Sequence, residues 1–196
     1  ADDVDGSVAI GVGALKALNA TSGSQHASAT IGIGMNAGAA LTTGTGNTAV
    51  GHTALAAEDA GSHNTAVGYQ SLPVCNNDTG SNTAVGKGSG LIVVAGYSNT
   101  LIGRGAGDTI TGGYKNTMIG TNANPSAAGG INQTAIGVDA TGVGDNSVTL
   151  GDGNVTAVYM AEDSGANVHC REIDIEGNFA SNYVVYIKND GDNANR

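Results

Sequence analysis

Paired carboxylates are the side chains in this sequence with the most direct route to catalysis. Glu58 is next to Asp59, and Asp139 precedes Asp145 by a few residues, so either pair could act as acid and base on a glycosidic bond. Sugar-cleaving grooves also use aromatic platforms, and only 4% of this chain is aromatic. No serine stands in a Gly-x-Ser-x-Gly context. We therefore predict solvated loop acids and no enzymatic activity.

Possible metal ligands and phosphate loops occur, but without the surroundings that such sites need. Asp190, Asp192 and Asn193 alternate along the chain but lack the glycine and glutamate that complete a calcium loop. Short Gly-x-Gly pieces lack a helix that would hold a phosphate. The histidines are scattered, and three copies of one of them could form a metal site only around a threefold axis: His26, His52, His63 and His169. The prediction is no metal and no cofactor.

Charge and hydropathy exclude two classes of partner. The net charge is −10, whereas nucleic-acid binding needs a basic surface. The longest apolar run, Leu91 to Ala95, is far shorter than the roughly 20 residues of a membrane-spanning helix. We expect neither nucleic-acid binding nor membrane insertion. The basic residues are thinly spread and form no cluster that would grip an anionic membrane: Lys16, Lys87, Arg104, Lys115, Arg171, Lys188 and Arg196.

A short repeat dominates the sequence and must position those of these side chains that precede residue 154. Its unit is Asn/Ser-Thr/Val-Ala-Ile/Val-Gly, as in Asn47 to Gly51 and Asn64 to Gly68. Nine copies can be counted, and their closing glycines are Gly11, Gly32, Gly51, Gly68, Gly86, Gly103, Gly120, Gly137 and Gly151. A constant strand joined by loops of variable length predicts an all-β solenoid of about nine short coils.

Alternation along each strand separates two columns of side chains. The residue before each closing glycine is aliphatic, and we assign this column to the core of the coil: Ile10, Ile31, Val50, Val67, Val85, Ile102, Ile119, Ile136 and Leu150. The residue before that points the other way and is mostly alanine, too small for a solvated face. We assign it to a close interface in a homotrimer: Ala9, Ala49, Ala66, Ala84, Leu101, Met118 and Ala135.

The composition changes near residue 154. We predict a repeat domain over 1–153 and a small β-rich stem over 154–196, the start of a further domain.

The repeats Asn47 to Leu55 and Asn64 to Leu72 resemble the head repeats of trimeric autotransporter adhesins and the related repeats of phage and viral tail fibres. The resemblance covers about residues 4–153 and implies a left-handed parallel β-roll with three chains around a common axis. The segment from Ser147 to Val158 also resembles the part of tail fibres that precedes a self-cleaving C-terminal chaperone.

These resemblances imply a structural attachment protein, located in the tail fibre of a virion, that serves as shaft or receptor-binding head. Its partners would be two further copies of the chain and an unidentified glycan or protein on the host surface. A bacterial adhesin head at the cell surface is the alternative. An ice-binding solenoid is a lesser alternative, because threonines such as Thr48, Thr65 and Thr83 recur at one repeat position. We expect the Thr column to lie inside the coil or at its edge, which argues against ice binding.

Overall fold

The computed structural model describes residues 6–18, 28–76, 78–156 and 158. Each repeat contributes one three-residue strand, and between strands the chain makes a series of turns. The strands are β1 (Val8–Ile10), β2 (Ile31–Ile33), β3 (Thr48–Val50), β4 (Thr65–Val67), β5 (Thr83–Val85), β6 (Thr100–Ile102), β7 (Thr117–Ile119), β8 (Thr134–Ile136) and β9 (Val148–Leu150).

The nine strands form one parallel sheet in which each strand pairs with the next along the chain. Their register places equivalent repeat positions side by side, for example Ala66 beside Ala84 and Val67 beside Val85. Turns bond in the same way, since the amide of Leu55 donates to the carbonyl of Ser71 in the next coil at 3.0 Å. The described residues contain no helix. The predicted all-β parallel solenoid is therefore confirmed.

The second copy of the repeat is displaced by two residues from its predicted place. Ile33, not Ile31, pairs with Ile10 and Val50, so Gly34 is the closing glycine of this coil. Sequence could not separate the two alignments, because Ile-Gly occurs twice in succession and a shift of two keeps each side chain on its face. The middle position is Gly32, where a Cβ would lie 2.6 Å from Cγ of Leu15.

The two faces of the sheet are opposite to our prediction. The alanine column points into the coil, where Ala49, Ala66 and Ala84 have no exposed surface, as do Leu101, Met118 and Ala135. The aliphatic column points outward and remains partly exposed, for example 57% at Ile10 and 39% at Ile102. The residues assigned to the trimer interface are thus the core, and the predicted core ladder is surface. Ala9, in the first coil, is the exception because it is itself exposed.

Alanine fits the interior because larger side chains from the turns already fill it. The turn leucines Leu55 and Leu72 are fully buried, and Leu41, Val93 and Ile110 occupy a neighbouring turn position in other coils. Where one coil has a glycine at an interior turn position, leucine side chains of the neighbouring coils fill the space. A Cβ on Gly90 would lie 2.7 Å from Cδ2 of Leu72 and 3.0 Å from Cδ1 of Leu101, so a larger residue there would overpack the core.

The first residue of the repeat forms a buried polar ladder beside the apolar core. In each pair of coils, the Oδ1 of one asparagine accepts the backbone N–H of the next, as Asn99 accepts from Asn116 at 3.0 Å. The Nδ2 of Asn99 donates to the carbonyl of Gly113 at 2.9 Å. Because both ends of the amide are bonded, its burial is compensated. The ladder consists of Asn47, Asn64, Asn82, Asn99 and Asn116, extended by Gln133.

The closing glycines form a second stack that sets the distance between coils. Gly86 has φ of 137°, a conformation that L side chains rarely adopt. A Cβ there would also lie 2.6 Å from the carbonyl carbon of Gly103. Both the backbone conformation and the close approach require glycine.

The predicted stem, 154–196, lies outside the described residues except at 154–156 and 158. It and its boundary stay predictions.

Candidate functional site

The outer face of the sheet is a regular surface that runs along all nine strands. It carries two parallel columns, the aliphatic residues before each closing glycine and, two positions earlier, mostly threonines. The threonines of β3 to β8 are partly exposed: Thr48, Thr65, Thr83, Thr100, Thr117 and Thr134. At the sheet's ends, Val8, Ile31 and Val148 replace threonine. We call these two columns the outer sheet face.

The outer sheet face is regular in shape and chemistry. Nine parallel strands at about 4.8 Å spacing give a surface roughly 40 Å long. Its side chains are Thr, Val, Ile and Leu, so no charge interrupts it. The aliphatic column is a contiguous strip of partly exposed apolar side chains, and large exposed apolar patches are typical of interaction surfaces.

A second surface follows the turn position directly after the closing glycine. Here His52, Tyr69, Lys87 and Arg104 occupy four successive coils, and we call them the basic–aromatic stripe. The rings of His52 and Tyr69 stack with their centres 5.2 Å apart and 11° between planes. The Nζ of Lys87 lies 5.9 Å from the centre of the Tyr69 ring, within cation–π range.

The stripe brings together two basic residues that are far apart in sequence. Lys87 and Arg104 are 17 residues apart in sequence, which is one coil, so their side chains emerge from neighbouring turns. The repeat register contained this information, because both follow a closing glycine. Spacing along the chain hides the pairing, because the two residues are a whole coil apart.

A shallow depression of about 170 Å³ lies beside Lys87 and Arg104. Its floor is formed by Gly88 and Gly105, both with φ of 64°, which leave space where other coils carry Thr53, Gln70 or Asn122. The remaining lining residues are Gln70, Leu91, Asp108 and Asn122.

Two acceptor oxygens face this floor. A Cβ on Gly105 would lie 2.9 Å from Oδ1 of Asn122 and 3.2 Å from Oδ2 of Asp108. The other ends of these side chains are engaged, since Asn122 Nδ2 donates to Asp139 at 2.9 Å and Asn124 Nδ2 donates to Asp108 Oδ1 at 2.8 Å. These contacts hold both side chains in place.

The candidate catalytic carboxylates have structural contacts. Glu58 is fully buried, contrary to the expectation of a solvated loop acid, and its Oε1 accepts the N–H of Gly61 at 2.7 Å. Its neighbour Asp59 is exposed. Asp145 accepts the N–H of Ile131 at 2.8 Å, and this bond, followed by one from Gln133, lowers the pKa of the Asp145 carboxyl. These contacts fix turns of the solenoid.

Only some of the candidate metal ligands lie among the residues that the structure describes. His52 lies in the stripe and His63 is exposed at a corner, whereas His26, His169 and residues 190–193 lie outside the described residues. Among 6–18, 28–76, 78–156 and 158, no three His, Cys, Asp or Glu side chains come together. The same residues include no helix that is long and apolar enough to cross a membrane.

No protein-family model matches the chain, and a search of the curated proteins finds no similar sequence.

Proposed function

We propose that this chain is a segment of a trimeric attachment fibre, assembled through its outer sheet face. The observation that carries the proposal is the unbroken aliphatic column, which leaves Ile10, Ile102, Ile136 and Leu150 each more than a third exposed in a single chain. Covering that column with other copies of the chain would remove apolar surface from water along the whole solenoid.

Cyclic self-association suits a face of this shape. Every coil presents the same two columns, so copies placed side by side around an axis would repeat one contact from coil to coil. No charge on the face has to be desolvated or paired. The sequence resemblance implies three copies, and the outer sheet face replaces the alanine column as the interface in this proposal.

The segment at the C-terminal end of the repeat domain favours one kind of fibre over the other. The resemblance of residues 147–158 to the segment before a tail-fibre chaperone favours a phage or virus-like particle, with the fibre acting in host attachment. A bacterial adhesin head, displayed at the cell surface, is the alternative. Both carry out adhesion without chemistry, which agrees with our prediction of no enzymatic activity.

Glutamate substitutions on the two faces of one strand pair test the interface. We expect the wild-type protein to have three times the 19.1 kDa chain mass in multi-angle light scattering. The double variant Val67→Glu/Val85→Glu should be a folded monomer, because its charges point outward. Ala66→Glu/Ala84→Glu should lose the solenoid altogether, because it places two charges in a fully buried column.

The matched control is Val94→Glu/Val143→Glu, which adds the same charge at exposed valines outside the sheet. It should remain trimeric with unchanged circular dichroism. A monomeric wild-type protein, or a trimer that survives Val67→Glu/Val85→Glu, would contradict the proposal.

Ice binding is a second candidate, and the structure removes our reason for setting it aside. The threonine column, expected inside the coil or at its edge, points outward on the parallel sheet, with the threonines of neighbouring coils in register. An ice-binding face has to order water molecules, and it does so with regularly spaced hydroxyl and methyl groups such as these.

Both functions would use the outer sheet face, but an ice-binding protein and a fibre would differ in oligomeric state, so experiments can distinguish them. An ice-binding protein would keep the outer sheet face free and stay monomeric, whereas a fibre covers it. Thermal hysteresis of the purified protein that disappears in Thr83→Lys/Thr100→Lys, together with a monomeric mass, would favour ice binding. A trimer without hysteresis would reject it.

A further inference from the structure

The basic–aromatic stripe has the features of a ligand site that the solenoid itself does not need. Lys87 and Arg104 emerge from neighbouring turns, and neither forms an ion pair with a described residue. In a chain with net charge −10, two cations on neighbouring turns, with Asp108 as the one acidic residue lining the depression beside them, form a local positive surface.

The depression beside them is chemically mixed. It joins the two cations to the acceptor oxygens of Asp108 and Asn122, the amide of Gln70 and the apolar side chain of Leu91. The ring of Tyr69, 48% exposed, continues the surface along the stripe. Its volume, about 170 Å³, is below the roughly 300 to 1,000 Å³ of pockets for drug-sized ligands. It therefore suits a unit of monosaccharide size.

We infer that this depression binds a carboxylate-bearing sugar unit of an acidic polysaccharide. The carboxylate would pair with Lys87 and Arg104, the hydroxyls would donate to Asp108 and Asn122, and the apolar edge of the ring would rest on Leu91. The inference rests on the proposed function, since it names the class of surface to which the fibre attaches.

The acceptors in the lining distinguish this ligand from other anions. A DNA phosphodiester offers no hydroxyl donor to match the Asp108 carboxylate, so it would leave that side of the depression without a partner. A neutral sugar would leave both cations without a partner. A sugar unit that carries both hydroxyls and a carboxylate matches every side of the depression.

The experiment measures binding of the purified protein to an oligomer of uronic acid, with its carboxyl-reduced neutral form as the second probe. Isothermal titration or saturation-transfer NMR should show binding of the uronate and at least tenfold weaker binding of the neutral form. Lys87→Gln/Arg104→Gln should weaken uronate binding at least tenfold.

Two variants separate the depression from overall charge. Lys16→Gln/Lys115→Gln makes the same change in net charge and also removes a cation over an aromatic ring, since Lys115 Nζ lies 5.8 Å from the centre of Tyr114. Its affinity should stay within twofold of wild type. Gly88→Asn keeps both cations and fills the floor with a residue that tolerates this φ, as Asn122 does at the same repeat position with φ of 54°. It should weaken binding at least tenfold.

No uronate binding by the wild-type protein, equal binding of both probes, or equal losses in the two lysine-containing double variants would each overturn the inference. The mass of the wild-type protein in the same samples keeps the two proposals apart. A trimer that binds no uronate rejects only the sugar site, whereas a monomer rejects the fibre interface.

Discussion

At the scale of single residues, the asparagine that begins the repeat stabilises the solenoid, although its polar side chain is buried. Its amide is buried between coils, where an unpaired group costs about 1 to 3 kcal/mol. Asn99 meets this cost fully, because Oδ1 accepts from Asn116 and Nδ2 donates to Gly113 and to Asn82. The Oδ1 of Asn64 accepts from the backbone N–H of Asn82 at 3.0 Å, but the Nδ2 of Asn64 has no hydrogen-bond partner.

This difference predicts unequal effects of one substitution. Asn99→Ala should lower the free energy of unfolding by about 2 to 4 kcal/mol, because it leaves the N–H of Asn116 and the carbonyl of Gly113 buried without partners. Asn64→Ala should cost less, since it also removes an unsatisfied donor. Chemical unfolding followed by circular dichroism gives both values.

Asn76→Ala, at an exposed turn position, is the control and should stay within about 0.5 kcal/mol of wild type. If Asn64→Ala proved as costly as Asn99→Ala, hydrogen bonding would not explain the ladder.

At the scale of the element, each strand-turn unit depends on the glycine that closes it. Gly86→Ala should lower the free energy of unfolding by about 2 kcal/mol or more, because it combines an unfavourable φ with a clash against the Gly103 carbonyl. Gly112→Ala is the matched change in open space and should be neutral or slightly stabilising, since alanine restricts the unfolded chain. Thermal unfolding of both variants checks the prediction, and equal melting temperatures would contradict it.

At the scale of the whole molecule, the solenoid is an array whose coils contact only their neighbours. Stability should then depend on how many complete coils are stacked. Coils three and four are nearly interchangeable, because Ala49 and Leu55 in one occupy the places of Ala66 and Leu72 in the other.

Removing residues 47–63, one complete coil, should therefore leave a folded protein with a modestly lower melting temperature. Removing 47–55 alone should destroy the stacking at that point, because it deletes β3 and the remaining residues 56–63 have no strand to pair with the neighbouring coils. Circular dichroism and thermal unfolding compare the two deletions. Similar losses of β structure would show that the coil is not the unit of stability.

Much of the fold could be predicted from the repeat alone. Its period predicted the parallel solenoid, and eight of the nine strand positions agree with the copies found in sequence. The second copy was misaligned by two residues, because Ile31-Gly32 and Ile33-Gly34 fit the pattern equally well. Pairing with Ile10 and Val50 decides between them.

The candidate surfaces were predicted less well. Lys87 and Arg104 are distant in sequence and line the same depression only because they occupy the same position in successive coils. Glu58 looked like a surface acid, yet the turn that ends at Gly61 encloses it. In neither case does the type of residue determine where its side chain lies.

The sequence by itself determined the number of coils, their period and the division of each strand into two alternating faces, because these follow from local geometry. Only the tertiary structure decided which face is inside. Alternation separates Ala66 from Val67 but does not say which of them meets the core. The interior volume left by Leu55 and Leu72 decides that, and it admits alanine while the valine remains outside.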